Sequence, residues 1–499
     1  MRRLGRALSL LPPSRGVAAQ NLEPKAKDSW SFSTLIGHFQ DNLPSFAHSR
    51  SLEQAAAKQD VKMHRSQSDA ESGVSRKEAN RKAQSLLNVV RGPSSDPRRL
   101  TGLAQLRDHL IRFPETRRLL VARERAIPIV QLMLNTTQTK AVADRARQVL
   151  ALLGQTPHLK GRGIRLLSID GGGTRGLMSL EILAALEAAT GKRIPELFDM
   201  VIGVSTGAII ATLVTALGHS VEQTRCIYRE ISSQLFKQSR VSGGIGLVWN
   251  HSYYDTETWI RILQDAVRNI DLIDTAKNHG SPKLCIVSCV VNRAVLEAWV
   301  FRNFHQPGNR GSVFSGGVGY KLWEALQASA AAPGYFKEVR LGPYLHQDGG
   351  VLQNNPTVLG ILEAQALWGS DCPLEAVVSI GNGRTFHPYS PAEDAEGSSW
   401  KDVIVKMVDS ATDTEMTHTG LSSLLSPGTY YRFNPYSSET YYLDDSEPEK
   451  MNKMVYDAQF YIRKNERKIR AAAELLQTPK PIFHRLRDYV ADATISFRA

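Results

Sequence analysis

The feature that most constrains this chain is a stretch of 19 residues without a charged side chain, Met200–Gly218, broken at its centre by Gly203-Val-Ser-Thr-Gly207. A hydropathy window would read it as a membrane span. Its Gly, Ser and Thr content makes it only moderately apolar, and the glycines fall where a strand would turn into a helix. We read a buried strand at Phe198–Ile202, a tight turn, and a buried helix at Ala208–Leu217. A G-x-S-x-G turn in that setting lifts a serine hydroxyl above the sheet edge beside a helix N-terminus. Gly203 and Gly207 are needed because larger neighbours would clash there. The plainer alternative for Ser205 is a helix N-cap.

A second strand, turn and helix comes just before. Ile164–Ile169 reads as a short buried strand, Asp170-Gly-Gly-Gly-Thr-Arg-Gly176 as a glycine loop, and Leu177–Leu186 as an amphipathic helix ending near Gly191. This arrangement points free backbone N–H groups at an anion. Gly171, Gly173 and Gly176 also spell G-x-G-x-x-G. A dinucleotide fold would need an acid at the end of the next strand, and Asp199 stands at its start. A third element, Tyr344–Asp348, delivers Asp348 into Gly349-Gly350, followed by Asn354, Asn355, Pro356 and a helix. Seen alone it is an ordinary Asp-Gly turn.

A serine nucleophile needs a base. His387, His418 and His484 follow Asp348, but none sits in a recognisable strand-end loop. His346 shares a strand face with Asp348. No histidine stands in an evident position, so the residues leave a Ser205–Asp348 dyad open beside a histidine base. Partial burial would raise the basicity of the carboxylate, which takes the serine proton.

The net charge of +12 is unevenly placed. Residues 1–160 hold 27 Lys+Arg against 13 Asp+Glu; the rest hold 34 against 36. A body-wide basic surface for nucleic acid is excluded, and a basic arm meeting anionic lipid, or an import signal, fits better. Residues 1–22 have no acid, four arginines and leucines at helical spacing, the composition of a transit segment. This points to mitochondria, with the endoplasmic reticulum or peroxisomal membrane as alternatives. The C-terminal Ser496-Phe-Arg-Ala499 lacks the Ser-Lys-Leu address. Cys226, Cys285, Cys289 and Cys372 form no C-x-x-C pair, so neither zinc nor a disulfide framework is indicated, and buried reduced thiols are expected.

Residues 23–97 read as a disordered linker, rich in Ser, Gln and charge, with one apolar island at Trp30–Phe39. Residues 98–156 carry three short apolar helical runs that resemble an armadillo-like unit. One unit cannot bury its own face, so it is expected to pack on the α/β body C-terminal to it. Residues 161–390 form that body, with further strands at 284–291, 298–301 and 375–380 and helices at 256–268, 321–331 and 357–367. Residues 391–499 read as a helical extension packed on the body. In it Met451, Met454, Val455, Ala458, Ile462 and Ile469 make one packing stripe.

Asp-Gly-Gly-Gly-x-Arg-Gly, Gly-x-Ser-x-Gly and Asp-Gly-Gly, in that order, resemble the patatin-like phospholipase family. Lys160–Asp170, Ala328–Phe336, Asp348–Pro356, Ser410–Glu415 and Tyr430–Pro435 are similar to its gamma-type calcium-independent branch, over about residues 98 to 480. The resemblance implies a three-layer α/β fold, a central and mostly parallel sheet between helices. It implies Ser205 as nucleophile, Asp348 as base, and an oxyanion hole from the amides of Gly171, Gly172 and Gly173. Asp170 would fix the glycine loop, and Arg175 would brace it or meet a phosphate. Gly176, Gly203, Gly207, Gly349 and Gly350 complete the motifs. The implied reaction is hydrolysis of a glycerophospholipid acyl ester at a phospholipid membrane surface. No metal or cofactor is needed, no EF-hand-like loop is present, and the oligomeric state is open. Gly243–Trp249, with Tyr253 and Tyr254, is an apolar segment expected at the lipid interface. A neutral-lipid lipase or acyltransferase would use the same dyad. A lipid-surface scaffold would not need it.

Overall fold

The computed structural model describes residues 74–92, 95–237, 254–308, 310–385 and 414–498. Residues 1–22, the apolar island at Trp30–Phe39, the Gly243–Trp249 segment with Tyr253, and His387 lie outside them.

Among the described residues five α-helices precede the first strand: α1 (Arg76–Arg91), α2 (Asp96–Arg112), α3 (Arg117–Ala122), α4 (Ala126–Thr136) and α5 (Lys140–Leu153). The first corrects the linker expectation over its length. Its composition is polar, yet Ala79, Ala83, Leu86, Leu87 and Val90 make a buried stripe, two of them alanines too small to register as a periodic signal. Ser75 caps it by accepting the N–H of Glu78 at 3.3 Å. The helices pack on one another, α2 and α4 both against α5. Polar contacts also join them to the α/β body. The buried Arg107 guanidinium lies 2.5 Å from Asp271 and 3.0 Å from Asp274, and the His305 N–H donates to Ala151 O at 2.9 Å.

The body alternates strands and helices. In chain order these are β1 (Ile164–Ile169), α6 (Gly176–Thr190), β2 (Met200–Val204), α7 (Thr206–Ala211), α8 (Val221–Lys237), α9 (Thr256–Val267), β3 (Lys283–Val290), β4 (Glu297–Arg302), β5 (Ser315–Gly317), α10 (Leu322–Ser329), β6 (Val339–Leu341), β7 (Tyr344–Asp348), α11 (Thr357–Trp368), β8 (Leu374–Ile380), β9 (Arg384–Thr385), α12 (Thr414–Leu424), β10 (Tyr430–Phe433), β11 (Tyr436–Ser437), α13 (Pro448–Lys464), α14 (Glu466–Gln477) and α15 (Ile482–Arg498). The main sheet runs β10-β8-β1-β2-β3-β4-β5, with β7 beside β3 and β6 beside β7. From β10 to β3 every pairing is parallel; β4 and β7 run antiparallel to β3. β1 and β2 are buried at every position, as strands covered on both faces must be, and Arg165 of β1 is met there by Glu375 of β8 at 3.2 Å. Leu166 faces Gly360 of α11, while Leu167 and Ile169 join the core cluster shared with α6 and α14. The uncharged run Met200–Gly218 is thus β2, α7 and a π-turn at Thr212–Ala216. Among the described residues no helix is long and apolar enough to cross a membrane.

Three expectations need correction. The region after residue 390 is not only a helical cover, because β10 adds an edge strand, Tyr430 to Phe433 opposite Val377 to Ile380. Four residues with an arginine among them carry too little apolar signal to read as a strand. The stripe from Met451 to Ile469 is also two helices, broken at Asn465, both lying on α6. Finally, Tyr254 is core rather than interface: it stacks on Tyr335 and donates its hydroxyl to Asp444 at 2.8 Å. Of the cysteines, Cys285 and Cys289 are buried, but Cys226 is exposed.

Candidate active site

The site begins where β2 runs out. Ser205 follows Val204 with φ 54° and ψ −126°, a backbone conformation that a non-glycine residue holds only under constraint. The constraint is close approach on both sides. A Cβ on Gly203 would lie 2.5 Å from Gly207 O, and one on Gly207 would lie 2.3 Å from Ile169 O. The turn therefore folds onto itself and onto the end of β1, leaving the serine side chain at the head of α7.

What brings Asp348 to it is the edge of β3. β2 pairs with β3 up to Val204↔Val287, and there it ends. β7 takes over the same edge from the opposite direction, and its last residue, Asp348, stands opposite Ser288. The two strands point at each other along one edge and meet between neighbouring β3 residues. Ser205 Oγ donates to Asp348 Oδ2 at 2.6 Å, across 143 positions of sequence. Gly350 N–H donates to the other carboxylate oxygen at 2.7 Å. Burial pushes the Asp348 carboxyl up to about 6, and the bonds from Ser205 and Gly350 pull the other way. The group is then ionised at neutral pH yet far more basic than a surface aspartate.

Ser329, at the end of α10, fills the gap between the two strand ends. Its hydroxyl donates to Val287 O at 2.6 Å and accepts the Ser205 N–H at 2.8 Å, while its carbonyl accepts the Gly349 N–H at 3.2 Å. Asp348 N–H donates to Ala331 O at 2.9 Å. Ser205 and Asp348 are thus both held by one short segment that sequence reading left without a role. A serine inside Ala-Ser-Ala-Ala-Ala carries no motif.

His346 does not reach the pair. Its Nδ1 lies 2.9 Å from Ser288 Oγ, its ring is set among Trp299, Phe301 and Tyr344, and burial pushes it down to about 4. His418 stands beside Ser422 and Tyr430, and His484 lies on α15. No histidine among the described residues bonds to Ser205 or Asp348.

The glycine loop is fixed from behind. The Asp170 carboxylate makes a two-pronged, fully buried ion pair with Arg432 of β10, at 3.0 and 2.6 Å. Burial still raises this carboxyl to about 6, with Arg432 lowering it. Asn382 donates to Asp170 O at 2.6 Å, and Arg175 Nε donates to Gly172 O at 3.1 Å, so Arg175 braces the loop. Gly173 has φ 55° and sits so close to Leu443 that a Cβ would meet its carbonyl at 2.1 Å. The three loop amides are not equivalent. Gly171 N–H donates to Asn354 Oδ1 at 3.0 Å and Gly172 N–H to Thr206 Oγ1 at 3.1 Å, whereas the Gly173 N–H makes no hydrogen bond within the described residues. The expectation of three free amides is corrected to one, because side-chain acceptors on neighbouring loops satisfy the other two.

Ser205, Asp348 and the loop line a cleft partly open to solvent. Its walls are apolar, among them Ile209, Ile231, Leu235, Trp259, Tyr335 and Phe336, and Arg175 is its cationic side chain. Among the described residues no group of three His, Cys, Asp or Glu side chains is placed to hold a metal ion.

Comparison with known proteins gives the family of the chain. Residues 167–360 match the model of the patatin-like phospholipase family, a span that includes the glycine loop, the Ser205 turn and Asp348. The calcium-independent phospholipase A2-gamma of Homo sapiens is 39% identical over 419 residues, which are 84% of this chain and 53% of that protein. Its counterpart in Oryctolagus cuniculus is 38% identical over the same share of the chain and 52% of its own length. Phospholipase A I of Arabidopsis thaliana is 28% identical over 430 residues, 73% of this chain and 32% of that one. The chain spans about half the length of the gamma-type relatives it matches. On its motifs, its sheet and these matches, the chain belongs to the patatin-like phospholipase family.

Proposed function

We propose that this chain is a calcium-independent phospholipase that hydrolyses an acyl ester of a glycerophospholipid through a Ser205–Asp348 dyad. The observation that carries the reading is the 2.6 Å hydrogen bond from Ser205 Oγ to a buried carboxylate at the floor of an apolar cleft. Apolar walls suit acyl chains.

Asp348 accepts the Oγ proton as Ser205 attacks the ester carbonyl, forming a tetrahedral oxyanion. The N–H of Gly173 is one donor toward it. Thr206 N–H, in the first turn of α7 and without an intrahelical acceptor, is the other. Losing such a donor typically costs about 3 to 4 kcal/mol of transition-state stabilisation. The proton on Asp348 passes to the leaving alkoxide, which departs as lysophospholipid. Water then gives a proton to Asp348 and its oxygen to the acyl carbon, and the fatty acid leaves with Ser205 restored. Arg175 keeps its Nε on the loop and offers the rest of the guanidinium to the cleft, where a phosphate would lie. A neutral acylglycerol would make no use of that charge.

The test is fatty-acid release from phosphatidylcholine liposomes in excess chelator by the full chain, by Ser205→Ala and by Asp348→Asn. Release by the parent and its loss in both folded variants supports the dyad. Release that survives Asp348→Asn refutes it. Release from triacylglycerol alone, with phosphatidylcholine untouched, refutes the substrate class.

A further inference from the structure

The last described helix is turned inside out. A surface helix normally buries its apolar stripe and shows its charges to water. On α15 the inward side is polar: Asp488 pairs with Lys480 and lies 3.4 Å from His158 Nδ1, and Asp492 Oδ1 is 3.0 Å from His158 Nε2. The outward side carries Ile482, Phe483, Leu486, Tyr489 and Val490, from 53% to 82% exposed. At about 100° per residue these five fall within an arc of about 120° centred on Leu486, with Arg485 and Arg487 on its two shoulders. They leave on the order of 700 Å² of largely apolar side-chain surface in water, more than the largest patch of a typical monomer. That area is close to the roughly 800 Å² each partner contributes to a stable interface.

Two observations identify what covers it. The first is position. Thr478 and Leu476, just before α15, accept the Arg165 guanidinium at the start of β1, whereas Ser205 follows the last residue of β2 and Asp348 is the last residue of β7, at the other end of the sheet. A bilayer docked on α15 would face the wrong end of the sheet to feed the cleft. The second is spacing. Ile482, Leu486 and Tyr489 are separated by four and three residues, and Phe483 and Val490 by seven, the seam that receives another helix. A helix with such a seam is complementary to itself under a two-fold axis. We propose that two copies of this chain associate through α15, the helices pairing along Ile482, Leu486 and Tyr489.

The test uses the full chain at micromolar concentration in sedimentation velocity. The parent should be a dimer. Leu486→Glu with Tyr489→Glu should weaken association at least about hundredfold and leave the circular dichroism unchanged, because both side chains are exposed in the single chain. In a Cys226→Ser background, Leu486→Cys should cross-link between copies under mild oxidation. A monomeric parent, or a dimer that survives the double substitution, overturns the proposal. So does a monomer that floats with anionic liposomes and loses that binding on the double substitution, because the occupant would then be a bilayer. None of these readouts depends on ester hydrolysis, so the hydrolase reading can fail independently.

Discussion

Replacing Asp348 with asparagine separates what the buried carboxylate does for the reaction from what it does to the fold. In the native protein this carboxyl is shut away from water with two donors, Ser205 and Gly350, and burial holds it at about 6 against 3.8 for the free side chain. The folded protein therefore binds this proton more tightly than the unfolded chain does. Stability contributed at low pH is lost as pH rises from about 4 through about 6, and above that the full penalty of an ionised buried carboxylate remains, roughly 3 kcal/mol. Asparagine keeps an oxygen for the Gly350 N–H, and the Ser205 hydroxyl can turn to accept from the amide. The amide does not titrate. Asp348→Asn should therefore match the parent near pH 4 and exceed its stability by up to about 3 kcal/mol above pH 6. Hydrolysis should fall by about 100- to 10,000-fold. Asp170, raised to about 6 as well, is common to both proteins and cancels in the difference. Urea denaturation of both proteins from pH 4 to 8, with hydrolysis measured alongside, reads both quantities. A stability gap independent of pH, or a variant weaker than the parent at pH 7, would refute the reasoning.

Three further outcomes rest on the geometry of the site. Ser329→Ala removes the hydroxyl shared by Ser205 N–H and Val287 O. It should destabilise the protein by about 1 to 3 kcal/mol and lower kcat with KM little changed; an unchanged kcat would exclude this positioning role. Arg432→Met leaves the Asp170 carboxylate buried without its partner, a loss of about 3 to 5 kcal/mol. Adding Asp170→Asn should recover part of the melting temperature, and no recovery would show that the pair is not coupled. Gly207→Ala sets a Cβ against Ile169 O, so labelling of Ser205 by a fluorophosphonate should disappear while the far-ultraviolet circular dichroism persists; normal labelling would contradict the close approach.

The residues that read clearly in the sequence are those whose chemistry demands a pattern. Gly203 and Gly207 were legible because no other residue survives that turn, and Asp348 because two glycines follow it. β1, β2, β3 and β8 were legible as short, predominantly apolar runs, as a parallel sheet covered on both faces favours, despite Arg165 in β1 and Glu375 in β8. What escaped depends on distant partners. Ser329 is one serine among alanines until β3 lies beside it. Arg432 looks like a surface charge in Tyr-Tyr-Arg-Phe until Asp170 is found across two strands, 262 positions away. The state of the loop amides depends on Asn354 and Thr206, which no spacing rule links to Gly171 and Gly172. Helix α1 was hidden by its own composition, because alanines at its buried positions leave the polar residues to dominate the average.

The Asp170–Arg432 pair also bears on the order in which the site is completed as the chain is made. Ser205 leaves the ribosome first, Asp348 comes later, and the two can meet once β3 and β7 have paired. The glycine loop lacks the counter-ion of its buried carboxylate until β10 has been synthesised and added to the edge of the sheet. A chain cut between β7 and β10 would keep Ser205 and Asp348 and lose the clamp on the loop beside them. Nascent or truncated chains would therefore hold Ser205 and Asp348 beside a loosely held glycine loop, and the loop would be fixed in a chain synthesised at least through β10.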